Sequence, residues 1–196
     1  MSAVVIFAHG SGSSYQSPRN RQVAQTLNDA GFGTLLFDLL TEAEALDRAN
    51  VFNIDLLSDR LIAATEWVRQ ELKDMSIPIA YFGASTGAAA ALVAASRRDD
   101  IFAVVSRGGR VDMAAESLER VKCPVLMIVG GNDETVLTLN ERAQARLPHS
   151  HLVIVPGASH VFPEPGALEQ VAELARDWFS RHVEVELEES SILVPH

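Results

Sequence analysis

Between a hydrophobic run and a run of alanines the chain carries Gly83-Ala84-Ser85-Thr86-Gly87. A lone serine in a G-x-S-x-G spacing suits a sharp strand-to-helix turn that exposes its hydroxyl in a strained backbone. Each glycine weakens the element it joins, so Gly83 and Gly87 need a local reason, and the absence of a side chain beside such a turn is one. A serine hydroxyl becomes a nucleophile only when a base takes its proton, and the base in turn needs a carboxylate to orient it. Of six histidines, His149 and His151 precede a predicted strand, whereas His160 follows it in the loop GASHVFPEPG. His160 is the candidate base. Asp133, after the glycines of VGGNDETV, is the candidate orienting carboxylate, with Asp112 as its competitor and Glu134 better suited to the first turn of a helix.

Attack on a carbonyl also demands donors for the oxyanion. The amide of Thr86 follows the serine directly. A second amide is available from the loop His9-Gly10-Ser11-Gly12-Ser13-Ser14, with Ser11 N–H as the candidate. No G-x-G-x-x-G or G-x-x-x-x-G-K-[ST] spacing follows that loop, which argues against a phosphate cradle. Arg107 and Arg110 follow another predicted strand, and Arg19 follows the glycine-serine loop. They fit either a clamp for a substrate carboxylate or ion pairs with strand-end acids such as Asp38 or Asp112.

Six short, continuously apolar runs must position these residues: 3–8, 32–37, 78–82, 101–106, 124–130 and 151–157. Runs of this kind are strands covered on both faces, and the segments between them are long enough for helical crossovers. Helices are expected near 17–30, 55–73, 86–98, 112–120, 134–146 and 166–181. The prediction is a three-layer α/β/α sandwich around a mostly parallel six-stranded sheet. One domain spans 1–181, followed by a C-terminal tail or short extra strand at 182–196. In such a sheet ligands bind beyond the carboxyl ends of the strands, where Ser85, Asp133, His160 and the His9 loop all fall.

Composition limits the alternatives. A formal net charge of -10 over 196 residues disfavours nucleic acid and anionic membrane surfaces. One cysteine, Cys123, allows no intrachain disulfide. No run approaches the roughly 18 apolar residues of a membrane span, and the apolar start of the chain lacks a basic flank and a cleavage site, so a cytoplasmic location is expected.

With its motifs in this order, the chain resembles the α/β-hydrolase superfamily and, within it, small dienelactone-hydrolase-like proteins, over about 3–181. The resemblance implies a minimal version of that fold without a large lid, an elbow at Gly83–Gly87, acid at Asp133, base at His160 and oxyanion donors at Ser11 and Thr86, with His9 and Gly10 shaping the loop. Dienelactone hydrolases proper use cysteine where this chain has Ser85, which favours ordinary carboxylic esters. The expectation is a serine hydrolase of small esters that works through an acyl-enzyme with no metal and no cofactor. A thioesterase, acyltransferase or peptidase with the same residues, or a non-catalytic binding domain, stays open. The oligomeric state is not readable from sequence.

Overall fold

The computed structural model describes residues 1–73 and 75–192. Six strands, β1 (Val4–Ala8), β2 (Gly33–Leu36), β3 (Ile79–Ala84), β4 (Ile101–Arg107), β5 (Val125–Gly130) and β6 (Ser150–Val155), form one sheet in the order β2-β1-β3-β4-β5-β6. Every pairing is parallel, so the sheet is wholly rather than mostly parallel. Parallel neighbours need crossovers, supplied by α1 (Pro18–Asp29), α4 (Ile54–Glu71), α5 (Thr86–Ser96), α6 (Glu134–Gln144) and a 3-10 helix, Val111–Arg120.

The central strands β1, β3, β4 and β5 are buried along their whole length because helices cover both faces. On one face Val5, Phe7, Phe82 and Val105 meet Val23 and Leu27 of α1 and Val171 and Phe179 of α7 (Ala167–Ile192). On the other, Ile6, Tyr81 and Val104 meet Leu57 and Leu61 of α4, the alanines of α5, and Leu118. Tyr81 is fully buried, and its hydroxyl shares a 2.7 Å hydrogen bond with Thr65. Burial pushes its phenol up to about 12, so it stays a neutral core residue. Helix α5 is apolar all round, with ten of its residues, Thr86 to Ala95, buried. Alanine is what allows a helix wedged between sheet and α4 to approach both closely.

Two expectations change. The segment 182–192, read as a tail or strand, continues α7 as helix, while 193–196 lie outside the described residues. The segment 39–53, left between the expected strand 32–37 and the expected helix 55–73, holds two single-turn helices, α2 (Glu42–Ala45) and α3 (Arg48–Val51). Thr41 and Glu44 form a reciprocal capping box on the first, and Asp47 caps the second.

The strand order reverses direction at β1, because the chain steps outward to β2 and returns past β1 to β3. The loops after β1 and β3 therefore diverge at a switch point, where a crevice opens at the carboxyl edge of the sheet.

Candidate active site

Ser85 joins β3 to α5 at φ 52° and ψ -119°, a backbone that costs about 1–3 kcal/mol for a residue with a side chain. Three main-chain bonds hold it there: its N–H donates to Arg107 O at 3.1 Å, and its carbonyl accepts from Ala88 N and Arg110 N, each at 3.1 Å. The glycines of the motif have specific reasons. A Cβ on Gly83 would lie 2.5 Å from Ala88 Cα, and one on Gly87 would lie 2.1 Å from Ala8 O. Backbone meets backbone at both points, which is the condition for the tight elbow.

The loops after β5 and β6 place the other two residues. Asn132 donates from its main chain to Ala158 O and from its side chain to Gly157 O, both at 2.9 Å, so the two loops are tied in register. Across that tie His160 Nδ1 lies 2.6 Å from Asp133 Oδ2. A carboxylate facing Nδ1 puts the proton on that nitrogen and leaves the Nε2 lone pair toward Ser85 Oγ, 3.4 Å away. Asp133 is enclosed, with 13% of its side chain exposed, whereas His160 is 41% exposed. Asp112, the competing acid, is occupied elsewhere: its two oxygens accept from Arg110 at 2.9 and 2.8 Å. Gly108, at φ 53°, packs beneath His160, where an added Cβ would come 3.0 Å from its carbonyl oxygen.

The loop after β1 passes directly beside the serine, since a Cβ on Gly10 would lie 3.1 Å from Ser85 Cβ. His9 anchors this loop. Its Nδ1 lies 3.0 Å from Gly10 O, and its Nε2 accepts from Leu39 N–H at 3.1 Å, so the ring is neutral with the proton on Nδ1. Thr86 N–H is the first amide of α5 and has no acceptor within the helix. Ser11 N–H differs from expectation: it donates to Thr86 Oγ1 at 2.8 Å and is not free. Threonine at this position supplied a hydroxyl acceptor that the glycine-serine loop did not reveal.

The three arginines part company. Arg110 lines the Ser85 cavity, but the Asp112 carboxylate grips its guanidinium and raises its pKa, the ion-pair alternative. Arg19 is exposed on the first turn of α1. Arg107 is 8% exposed and lines neither of the cavities that meet at Ser11 and Thr86, so it is no clamp beside the serine. The first of those cavities holds Ser85 and His160, measures about 520 Å³, and has Phe52, Val136 and Leu139 as its apolar wall. The second, about 440 Å³, runs under the His9 loop between Tyr15, Asp38, Leu40 and Val51. Phe52 and the α2–α3 segment thus border the site.

A parallel sheet with a serine on the β3–α5 elbow, and histidine and aspartate after its last two strands, is the architecture of the α/β hydrolases. The model of the dienelactone hydrolase family matches residues 1–185, and the chain belongs to that family. A crystal structure of dienelactone hydrolase from Anabaena variabilis superposes with a TM-score of 0.88 at 51% identity, covering 92% of this chain and 87% of that one. The Est1E protein of Butyrivibrio proteoclasticus shares the fold, with a TM-score of 0.79 at 18% identity over 93% of this chain and 88% of its own. A putative phosphoribosyl transferase of Mycobacterium tuberculosis is 59% identical over 182 residues, 92% of this chain but 41% of that protein. The chain thus spans about two fifths of the length of that relative. Among the described residues no helix is long and apolar enough to cross a membrane.

Proposed function

We propose that the chain is a serine hydrolase of small carboxylic esters. The observation that carries this reading is the continuous relay Ser85 Oγ, His160 Nε2, His160 Nδ1, Asp133 Oδ2, with gaps of 3.4 and 2.6 Å. As the Ser85 oxygen bonds to the ester carbonyl carbon, its proton passes to Nε2, and Asp133 stabilises the resulting imidazolium. The tetrahedral oxyanion is held by Thr86 N–H and, once the Thr86 hydroxyl turns aside, by Ser11 N–H. Collapse breaks the ester C–O bond, and the alcohol leaves with the proton from His160. Water then attacks the acyl-enzyme with the same base, releasing the acid and restoring Ser85.

A cavity of about 520 Å³ with one apolar wall suits short acyl or aryl groups, and the Arg110–Asp112 pair in its lining presents no net charge. The name of the Mycobacterium relative does not carry over, because the match covers 41% of that protein. Labelling with a fluorophosphonate probe, read by intact mass, tests the proposal. One adduct is expected on the wild type and none on Ser85→Ala or His160→Ala. A folded wild type that takes no label would overturn it. Ester, thioester and peptide substrates in competition then assign the leaving group.

A further inference from the structure

Strand alternation sends the Arg107 side chain to the face of Val105, whose apolar cluster is covered by α1 and α7. There the guanidinium is buried, with 8% of the residue exposed. Among the described residues no hydrogen bond, ion pair or aromatic ring meets it, and Nη1 is fully enclosed with no partner. This is unusual, since buried charges are paired or coordinate an ion. The nearby charge is of the wrong sign. Burial first, and the Arg19 guanidinium second, pull Arg107 down to about 10, which still leaves it cationic at neutral pH. Arg19 itself has no acidic partner among the described residues and stands in the first turn of α1, where the helix adds further positive potential. A buried, unpaired guanidinium beside a second cation is held only at a cost, which a bound anion removes.

We propose that Arg107 and Arg19 form a binding site for a small oxyanion, a phosphate or carboxylate, on the α1 face of the sheet. The site lies behind the candidate active site and outside its cavities. It reaches that site through the main chain, because Arg107 O accepts from Ser85 N–H and the next residue, Gly108, packs under His160.

The test needs no enzymatic activity. Thermal unfolding is followed in sodium phosphate against sodium chloride of equal ionic strength. At tenfold excess over its Kd, phosphate is expected to raise Tm by roughly 3–6 °C in the wild type. Because phosphate also stabilises proteins by exclusion from their surface, the variants decide. Arg19→Gln, an exposed change, is expected to lose more than half the shift. Arg107→Met is expected to lose all of it and to melt higher than the wild type without phosphate. An equal shift in the wild type and Arg19→Gln, or none in the wild type, overturns the proposal; this comparison stands even if Arg107→Met fails to fold. Hydrolysis of p-nitrophenyl hemisuccinate and p-nitrophenyl butyrate then locates the bound anion. Phosphate that competes with neither ester leaves the anion at Arg107 and Arg19, whereas competition with either ester places it in the Ser85 cavity and overturns the proposal.

Discussion

Replacing Gly87 by alanine sets two effects of opposite sign against each other. On helix propensity alone, glycine to alanine in α5 stabilises by up to about 1 kcal/mol. The new Cβ, however, would sit 2.1 Å from Ala8 O, 2.5 Å from His9 O and 2.6 Å from Ala8 C. An unstrained carbon–oxygen contact is roughly 3.3 Å or more, so either the end of β1 or the start of α5 must retreat by about 1 Å. Neither moves freely. The atoms met are backbone, with no rotamer to change, and α5 is buried from Thr86 to Ala95. Overpacking of this kind costs about 3 kcal/mol or more, leaving a net loss of about 2 kcal/mol after the helical gain. For a domain of this size that corresponds to a Tm lower by roughly 4–8 °C and a urea midpoint lower by nearly 1 M. Calorimetry and urea titration read both. Activity is expected to fall further than stability, because the displaced strand end carries His9 and the Ser11 loop. A Gly87→Ala protein as stable as the wild type, the outcome propensity alone forecasts, would refute the close-approach account of the motif.

Two further substitutions probe the chemistry. Asp133→Asn keeps the shape around His160 but no longer fixes the proton on Nδ1, so kcat on a p-nitrophenyl ester is expected to fall by about 10⁴, the loss known for this change in a serine protease, with Tm measured to exclude unfolding. Thr86→Val removes the acceptor that now occupies Ser11 N–H, and freeing one such bond, worth about 0.5–1.5 kcal/mol, is expected to raise kcat/KM up to about tenfold. A hundredfold drop instead would mean that the Thr86 hydroxyl is itself an oxyanion donor.

The sheet was legible because its strands are buried on both faces and therefore read as unbroken apolar runs such as PVLMIVG. The elbow was legible because Gly83 and Gly87 have no role in a strand or helix except to let backbones touch. The end of α7 was misread for a physical reason. Val183, Val185 and Leu187 alternate with glutamates in strand-like period, yet glutamate is a good helix former and a helix already running from Ala167 simply continues. The capping box Thr41–Glu44 was present in the sequence and went unread within the apparent loop. Arg107 was assigned by its place after a strand, although alternation from Val105 turns it into the interior. The hydroxyl direction of Thr86 was not encoded locally at all, because its partner Ser11 is 75 residues away.

The wholly parallel sheet also bears on how the chain acquires its chemistry. No two strands of it form a hairpin, so every ladder closes only after a crossover segment has been enclosed, and no local strand pair can serve as a nucleus. The relay adds its own requirement, since Ser85 and His160 are 75 residues apart and meet only when β3, β4, β5 and β6 lie in register. Folding that depends on such distant pairings is slow, on the order of milliseconds to seconds. The Ser85–His160 contact therefore forms only at the end of that process: a partly assembled sheet holds both residues but not the relay between them.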